Sequence, residues 1–312
     1  MHYLVTGGAG FIGSHYVTRL VSRKLQGQEI TITVLDNLTY ASDLGRIREF
    51  MKKGLIKFHK VDISDTEAVA PIFGRPDVVV NFAAETHVDN SIVNPNPFMT
   101  SNLFGVMSLL NLCMTSPATR FVQVSTDEVY GSLETLDADE TFPLLPNSPY
   151  AASKASADLL VRSYVNTYGL DAVITRCCNN YGPHQHQEKF IPMTLAALSN
   201  GTEVRVYGDG QNIREWIHVS DHLEGIDLAI KHGEKGEIYN LGTSERKTNL
   251  EIVAALSAAL GLQSPPVKFV EDRKGHDRRY ALNSCKAIQE LGFRPKVSLE
   301  SGIDELARTW TC

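Results

Sequence analysis

Cysteine is scarce in this chain. Five occur in 312 residues, at Cys113, Cys177, Cys178, Cys285 and Cys312, an odd number with no C-x-x-C spacing. That pattern speaks against a disulfide framework and against a zinc site. Positive charge is not in excess: 30 Lys and Arg stand against 36 Asp and Glu, for a net charge of −6. Such a balance argues against a protein devoted to gripping nucleic acid, while leaving room for a local basic pocket. No apolar run is expected to reach the roughly 18 residues of a membrane span. No secretion signal is read at the start, where MHYLVTGG runs from Met1 into an apolar strand and a glycine turn. Together these absences predict a soluble cytoplasmic protein with neither membrane nor nucleic-acid partner.

What is present is globular material, 43% hydrophobic and 21% charged, without repeats or low-complexity tracts. The length suits one or two domains. Short β-branched runs at 3–5, 30–35, 56–59, 78–82, 121–124 and 172–175 read as strands. Most are apolar on successive residues, as strands covered on both faces must be. Amphipathic stretches at 12–25, 65–73, 97–116 and 150–168 lie between them. Alternation of this kind predicts an α/β, Rossmann-type, doubly wound parallel sheet. Beyond about residue 177 the pattern shifts to helices near 188–200, 220–232, 248–260 and 298–310 with short strands and Gly/Pro loops. This reads as a smaller, mainly C-terminal substrate-binding lobe, so ligands are expected in the cleft between the lobes.

The first strand runs into Gly7-Gly8-Ala9-Gly10-Phe11-Ile12-Gly13 and then a helix. Glycines let backbone approach a pyrophosphate, and a helix N-terminus offers it free N–H groups. A glycine turn alone is often structural, but its place between a strand and a helix marks a dinucleotide site. Asp36 ends the second strand, where a carboxylate can bind ribose hydroxyls and repel a 2′-phosphate, which favours NAD over NADP. Asp62-Ile63 ends the third strand in a similar way and can border the adenine.

Tyr150 and Lys154 stand four apart, on one face of a helix. The ammonium is expected to lower the phenol's pKa, making it a base for a hydroxyl proton as hydride leaves. Ser125 and Thr126 end the preceding strand, where a hydroxyl can reach the same substrate oxygen. Asp127-Glu128 follows at once. On a surface such a pair is a solvated turn; in a cleft the two carboxyls separate into one acid and one base.

TGGAGFIG (6–13), Asp36, NFAAE (81–85) and YAASK (150–154) resemble the extended short-chain dehydrogenase/reductases that act on nucleotide sugars. STDEVYG (125–131), RCCNNYGP (176–183), EKFIP (188–192), YGDGQNIREWIHV (207–219) and DRKGHDRRYA (272–281) narrow the resemblance to the dTDP-glucose 4,6-dehydratases. The resemblance implies bound NAD, held by residues 1–177 with returning segments near 214–242, and a nucleotide-sugar lobe over 178–312. It implies cofactor contacts from Gly7, Gly10, Phe11, Ile12, Gly13, Asp36, Asn37, Leu38, Thr39, Asp62, Ile63, Phe82, Ala83, Ala84, Ser101, Tyr150, Lys154 and Asn180. Thr86, Thr126, Asn179, Lys189, Phe190, Tyr207, Arg214, Asn249, Arg273 and His276 would contact the sugar nucleotide, the two arginines at its diphosphate.

The implied reaction oxidises C4 with Tyr150 as base and Lys154 in support. Glu128 then takes the C5 proton, Asp127 protonates the departing C6 hydroxyl, and hydride returns to C6. The helices around 103–112 and after Tyr150 would pair across a homodimer. Asn90, where the family usually carries Arg, Thr86, where Ser is usual, and His184 and His186 in the loop 182–189 depart from its pattern. A nucleotide-sugar 4-epimerase would share the NAD loop, Tyr150 and Lys154 but have no use for Asp127 and Glu128. A non-catalytic NAD-binding module would have no use for Thr126, Asp127, Glu128, Tyr150 or Lys154.

Overall fold

The computed structural model describes residues 1–263 and 265–310; Cys312 lies outside the described residues. Seven strands form one sheet: β1 (His2–Thr6), β2 (Thr31–Asp36), β3 (Lys57–Lys60), β4 (Val78–Asn81), β5 (Arg120–Thr126), β6 (Ala172–Cys177) and β10 (Ile238–Leu241). Their order is β10-β6-β5-β4-β1-β2-β3, and every pairing is parallel. The order reverses between β1 and β4, so a crevice opens at their carboxyl ends. This is the doubly wound Rossmann-type sheet that the strand alternation predicts.

Parity along each strand divides the core. Tyr3, Val5, Val78, Val80, Val122 and Val124 pack on one face, with the helices Phe11–Leu25 and Val219–His232. Leu4, Val79, Phe121 and Ile174 pack on the other, with the helices Thr66–Phe73, Gly105–Met114 and Pro149–Tyr168. Each fully buried Val, Leu or Ile contributes on the order of 1.5–3 kcal/mol, so both faces must be covered and neither can turn to solvent.

The stretch 214–242 divides between two structures. Helix Val219–His232 covers the main sheet and β10 extends it. Residues 213–218 instead form β9 of a separate small sheet, between β7 (Asn179–Tyr181) and β11 (Arg246–Thr248). Strands β8 (Val204–Tyr207) and β12 (Val267–Val270) pair nearby. Around them Ile191, Leu195, Trp216, Ile252, Leu256, Ile303 and Leu306 make a third core.

The expectation about apolar runs needs correcting. Asn96–Met114 is one helix of 19 residues with mean hydropathy 1.2, long and apolar enough by composition to cross a membrane. Half of it is buried in the fold. Its Val106, Leu109 and Leu110 pack on the sheet, which accounts for the hydropathy as core packing. At its centre Thr100–Phe104 is a π-helical stretch, a distortion that often marks functional sites. It places Asn102 so that its amide donates to Ser153 Oγ at 2.8 Å and to the Glu85 carbonyl at 3.0 Å.

Candidate active site

A cavity of about 640 Å³ opens along the strand ends, a volume that suits a cofactor and a substrate. At one end the turn after β1 brings Gly7, Gly10, Phe11, Ile12 and Gly13 to its wall. Gly7 has φ 65°, and a Cβ there would stand 2.7 Å from the Ala83 nitrogen. A Cβ on Gly13 would collide with the Gly7 carbonyl oxygen. Gly10 caps the helix Phe11–Leu25 without a side-chain bond, leaving its first N–H groups free for an anion.

Asp36 is fixed beside this turn. One carboxylate oxygen accepts from Ala9 N at 2.9 Å; the other accepts from Leu38 N and Ser42 Oγ, each at 2.8 Å. Leu38 takes φ 58° to make that bond and does not itself line the cavity. Asn37 donates to Asp62 at 2.9 Å, and Asn37, Thr39, Asp62, Ile63, Phe82, Ala83, Ala84 and Ser101 all line the wall. The lysines on that wall, Lys154 and Lys189, belong to other segments, so the β2–β3 end carries carboxylates and suits a ribose better than a 2′-phosphate.

The second group sits where β5 ends. Thr126 Oγ1 donates to Asp127 at 3.2 Å and accepts from Glu128 N at 3.3 Å. Ser148 caps the helix Pro149–Tyr168 by accepting from Ala151 N at 3.1 Å, with Pro149 in the first turn. That start fixes Tyr150 and Lys154 over the end of β5. Thr126, Asp127, Glu128, Tyr150 and Lys154 all line the cavity.

Electrostatics separate the two carboxyls. Asp127 is 2% exposed, and its Oδ2 has no hydrogen-bond partner among the described residues. Burial, then Glu128 and then Glu215 push its pKa well above the ordinary range. Glu128 is also raised by burial, but Arg214, Lys189 and Arg273 pull it back down. Carboxylates outweigh the one cation, Arg214, at Asp127, whereas three cations outweigh Asp277 at Glu128.

Tyr150 departs from expectation. Burial pushes its phenol well above the usual value, Glu128, Cys177 and Asp127 push the same way, and the hydrogen bond with Thr126 opposes them. Lys154 is not among the groups that act most strongly on it; its ammonium donates to the Val124 carbonyl at 2.7 Å, and burial pushes its own pKa down.

Among the remaining sequence-predicted residues, Thr86, Asn179, Asn180, Lys189 and Phe190 line the cavity. Lys189 Nζ donates to the Thr86 carbonyl at 2.9 Å. Asn180 accepts from the His222 ring at 2.8 Å and donates to the Cys178 carbonyl at 3.1 Å. Tyr207, Arg214, Asn249, Arg273 and His276 are not on that wall. They gather in an adjoining polar cluster: Arg273 Nε donates to Asp89 at 2.6 Å, Tyr207 donates to Asp89 at 3.3 Å, and Asn212 bridges to His276 at 3.3 Å. Asn249 N donates to the Asn212 carbonyl at 3.1 Å.

Sequence reading missed Glu215, Tyr280 and Asp277, all buried near the carboxyl pair. It also missed Glu85, whose pKa is raised by burial and by Glu188 and Asp62. The family departures have partners too. Asn90 donates to the Tyr40 hydroxyl at 3.3 Å, and Arg46 donates to the carbonyl of His184, which sits at φ 65°. Among the described residues no three His, Cys, Asp or Glu side chains gather as a metal site.

The model of the GDP-mannose 4,6 dehydratase family matches residues 4–306. A dTDP-glucose 4,6-dehydratase of an Actinoplanes species is 49% identical over 98% of this chain and 96% of its own. The crystal structure of DesIV, a dTDP-glucose 4,6-dehydratase of Streptomyces venezuelae with NAD bound, superposes with a TM-score of 0.95 at 46% identity, covering 99% of this chain and 96% of that one. The UDP-glucose 4-epimerase of Thermus thermophilus, solved with NAD, superposes at 0.90 with 35% identity over 100% of both chains. The chain belongs to the GDP-mannose 4,6 dehydratase family, within the extended short-chain dehydrogenase/reductases.

Proposed function

We propose that this chain is a dTDP-glucose 4,6-dehydratase that keeps one NAD bound through its reaction. Its fold is shared with an epimerase, so the site and not the architecture must carry the assignment. The observation that carries it is the contrast between Asp127, pushed far toward its protonated form by burial and by Glu128 and Glu215, and Glu128, whose own rise through burial is opposed by Arg214, Lys189 and Arg273. An elimination needs one acid and one base at the same moment; a 4-epimerisation needs neither.

The turn from Gly7 to Gly13 would hold the pyrophosphate and Asp36, with Asn37, Leu38 and Thr39, the ribose. Asp62 and Ile63 would border the adenine. Phe82, Ala83, Ala84, Ser101 and Asn180 would complete the wall toward the nicotinamide. The cofactor supplies a hydride acceptor for C4 and then a hydride donor for C6. Thr126 and Tyr150 bind the C4 oxygen, and Tyr150 takes its proton with Lys154 in support. The ketone so formed acidifies C5; Glu128 removes that proton, Asp127 protonates the C6 hydroxyl as it leaves as water, and Glu128 returns a proton to C5 as C6 takes the hydride. Thr86, Asn179, Lys189 and Phe190 would hold the sugar, Arg214 and Arg273 the diphosphate, and Tyr207, Asn249 and His276 the nucleoside end.

The NAD-holding part comprises residues 1–177 with the helix Val219–His232 and β10; the rest forms the sugar-nucleotide lobe. A homodimer accords with exposed Phe104, Met107 and Met114 on the helix Asn96–Met114 and exposed Leu159 on the helix Pro149–Tyr168. Free Cys113, Cys177, Cys178 and Cys285 suit the reducing cytoplasm.

Mass spectrometry of dTDP-glucose incubated with the protein, without added NAD, tests the reading. A product lighter by one water supports it. A product of unchanged mass identified as the C4 epimer replaces it with an epimerase.

A further inference from the structure

Glu128 meets a phenol that the reaction above does not use. Its Oε2 lies 3.4 Å from the Tyr280 hydroxyl, and that hydroxyl donates to Asp277 Oδ2 at 2.6 Å. Tyr280 is 5% exposed and Asp277 4% exposed. Asn147 donates to the other Asp277 oxygen at 2.6 Å and is itself exposed at the surface. Four side chains therefore run in contact from the cavity wall to solvent. The Arg214 guanidinium covers the Tyr280 ring at 4.3 Å and holds it in place.

A phenol has one proton to give. Tyr280 gives it to Asp277, so toward Glu128 it presents lone pairs. An ionised Glu128 has nothing to donate across the 3.4 Å gap. A Glu128 that has just gained a proton does.

We propose that Tyr280 and Asp277 form the path by which the proton taken up by Glu128 exchanges with water. The inference rests on the dehydratase reading, which makes Glu128 the C5 base. In the hand-over the Glu128 O–H proton moves to the Tyr280 oxygen while the Tyr280 proton moves to Asp277 Oδ2. Glu128 regains its negative charge, Asp277 becomes neutral, and Asp277 releases its proton to water beside Asn147; no electron pair leaves any atom. Tyr280 stays a neutral hydroxyl throughout, since burial and Glu128 hold its pKa well above the ordinary value. The charges that face Glu128 are Arg214, Lys189 and Arg273, with Asp277 opposing them. These cations favour return of Glu128 to its ionised form. A nucleotide sugar filling the cavity would wall Glu128 off from water on the other side, which is why a rear exit matters. Tyr280 acts through Glu128, so it is a positioning and relay residue.

The test compares the wild type, Tyr280→Phe and Asp277→Asn with dTDP-glucose in deuterated water, reading deuterium at C5 of the product. Tyr280→Phe keeps the ring under Arg214; Asp277→Asn keeps the phenol and removes its onward acceptor. The wild type is expected to place one solvent deuterium at C5 in nearly every product molecule. Each variant is expected to return the original protium in most molecules, because the proton stays on Glu128 until it is given back. Full deuterium incorporation by both variants overturns the relay, as does protium retention by the wild type. Should Tyr280→Phe fail to fold or to retain NAD, Asp277→Asn decides alone. Absence of water loss in the wild type would instead remove the dehydratase reading, and the relay with it.

Discussion

The ammonium of Lys154 lies 2.7 Å from the Val124 carbonyl, one residue before the Ser125-Thr126 pair that ends β5. A buried cation with a backbone acceptor is anchored to the strand, not yet to the phenol above it. Lys154 thus joins the helix that bears Tyr150 to the strand that bears Thr126, and both must keep their spacing for the C4 oxygen to be held. Lys154→Met is expected to fold and to lower kcat by on the order of 10²–10⁴-fold. Steady-state kinetics with dTDP-glucose check it; an unchanged kcat would remove Lys154 from the reaction.

The raised pKa of Asp127 has a consequence for stability. Between the ordinary carboxylate range near about pH 4 and its raised folded value, Asp127 binds more protons folded than unfolded. Stability therefore falls through that window as pH rises. Asp127→Asn removes this dependence, so its Tm should exceed that of the wild type at neutral pH and converge with it below about pH 4. Thermal melts at several pH values decide it, and a Tm below the wild type's at neutral pH would contradict the placement of Asp127.

Gly13→Ala puts a methyl against the Gly7 carbonyl, with Gly7 C at 2.9 Å and Gly8 Cα at 3.0 Å. Overpacking of this kind costs about 1–3 kcal/mol. The variant should lose several degrees of Tm and purify without NAD absorbance. Retention of NAD at wild-type stoichiometry would show that the turn does not hold the pyrophosphate.

Met107 and Leu159 are exposed on neighbouring helices. The double variant Met107→Glu, Leu159→Glu places charge on a face that a second copy would cover, where an unpaired charge costs several kcal/mol to bury. Light scattering should give twice 34.5 kDa for the wild type and 34.5 kDa for the variant. A wild-type monomer would remove the dimer.

Much of this site is readable from local sequence, because its parts are short. The turn between β1 and the helix Phe11–Leu25, the carboxylate ending β2, and Tyr150 with Lys154 each lie within one strand end or one helical turn. What depends on distant pairing is not readable. Tyr280 meets Glu128 across 152 residues, and Arg273 meets Asp89 across 184. Glu215 reads as one polar residue in a strand until Thr243 N, Ser244 N and Leu282 N are seen converging on it at 2.7–3.0 Å. The direction of the Tyr150 shift belongs with these, since spacing places Lys154 on the same helix face but does not show that its ammonium is engaged elsewhere. The apolar helix Asn96–Met114 misleads in the other direction: its hydropathy reflects a face on the sheet.

The central claim is that hydride removal at C4 and loss of water across C5 and C6 use different side chains. Stopped-flow absorbance of bound NAD during a single turnover of dTDP-glucose tests it most directly, in Glu128→Gln and Asp127→Asn. The account predicts that reduced cofactor forms and accumulates in both variants, because Tyr150 still opens the reaction while elimination stalls. Normal water loss without such accumulation, in either variant, would contradict it.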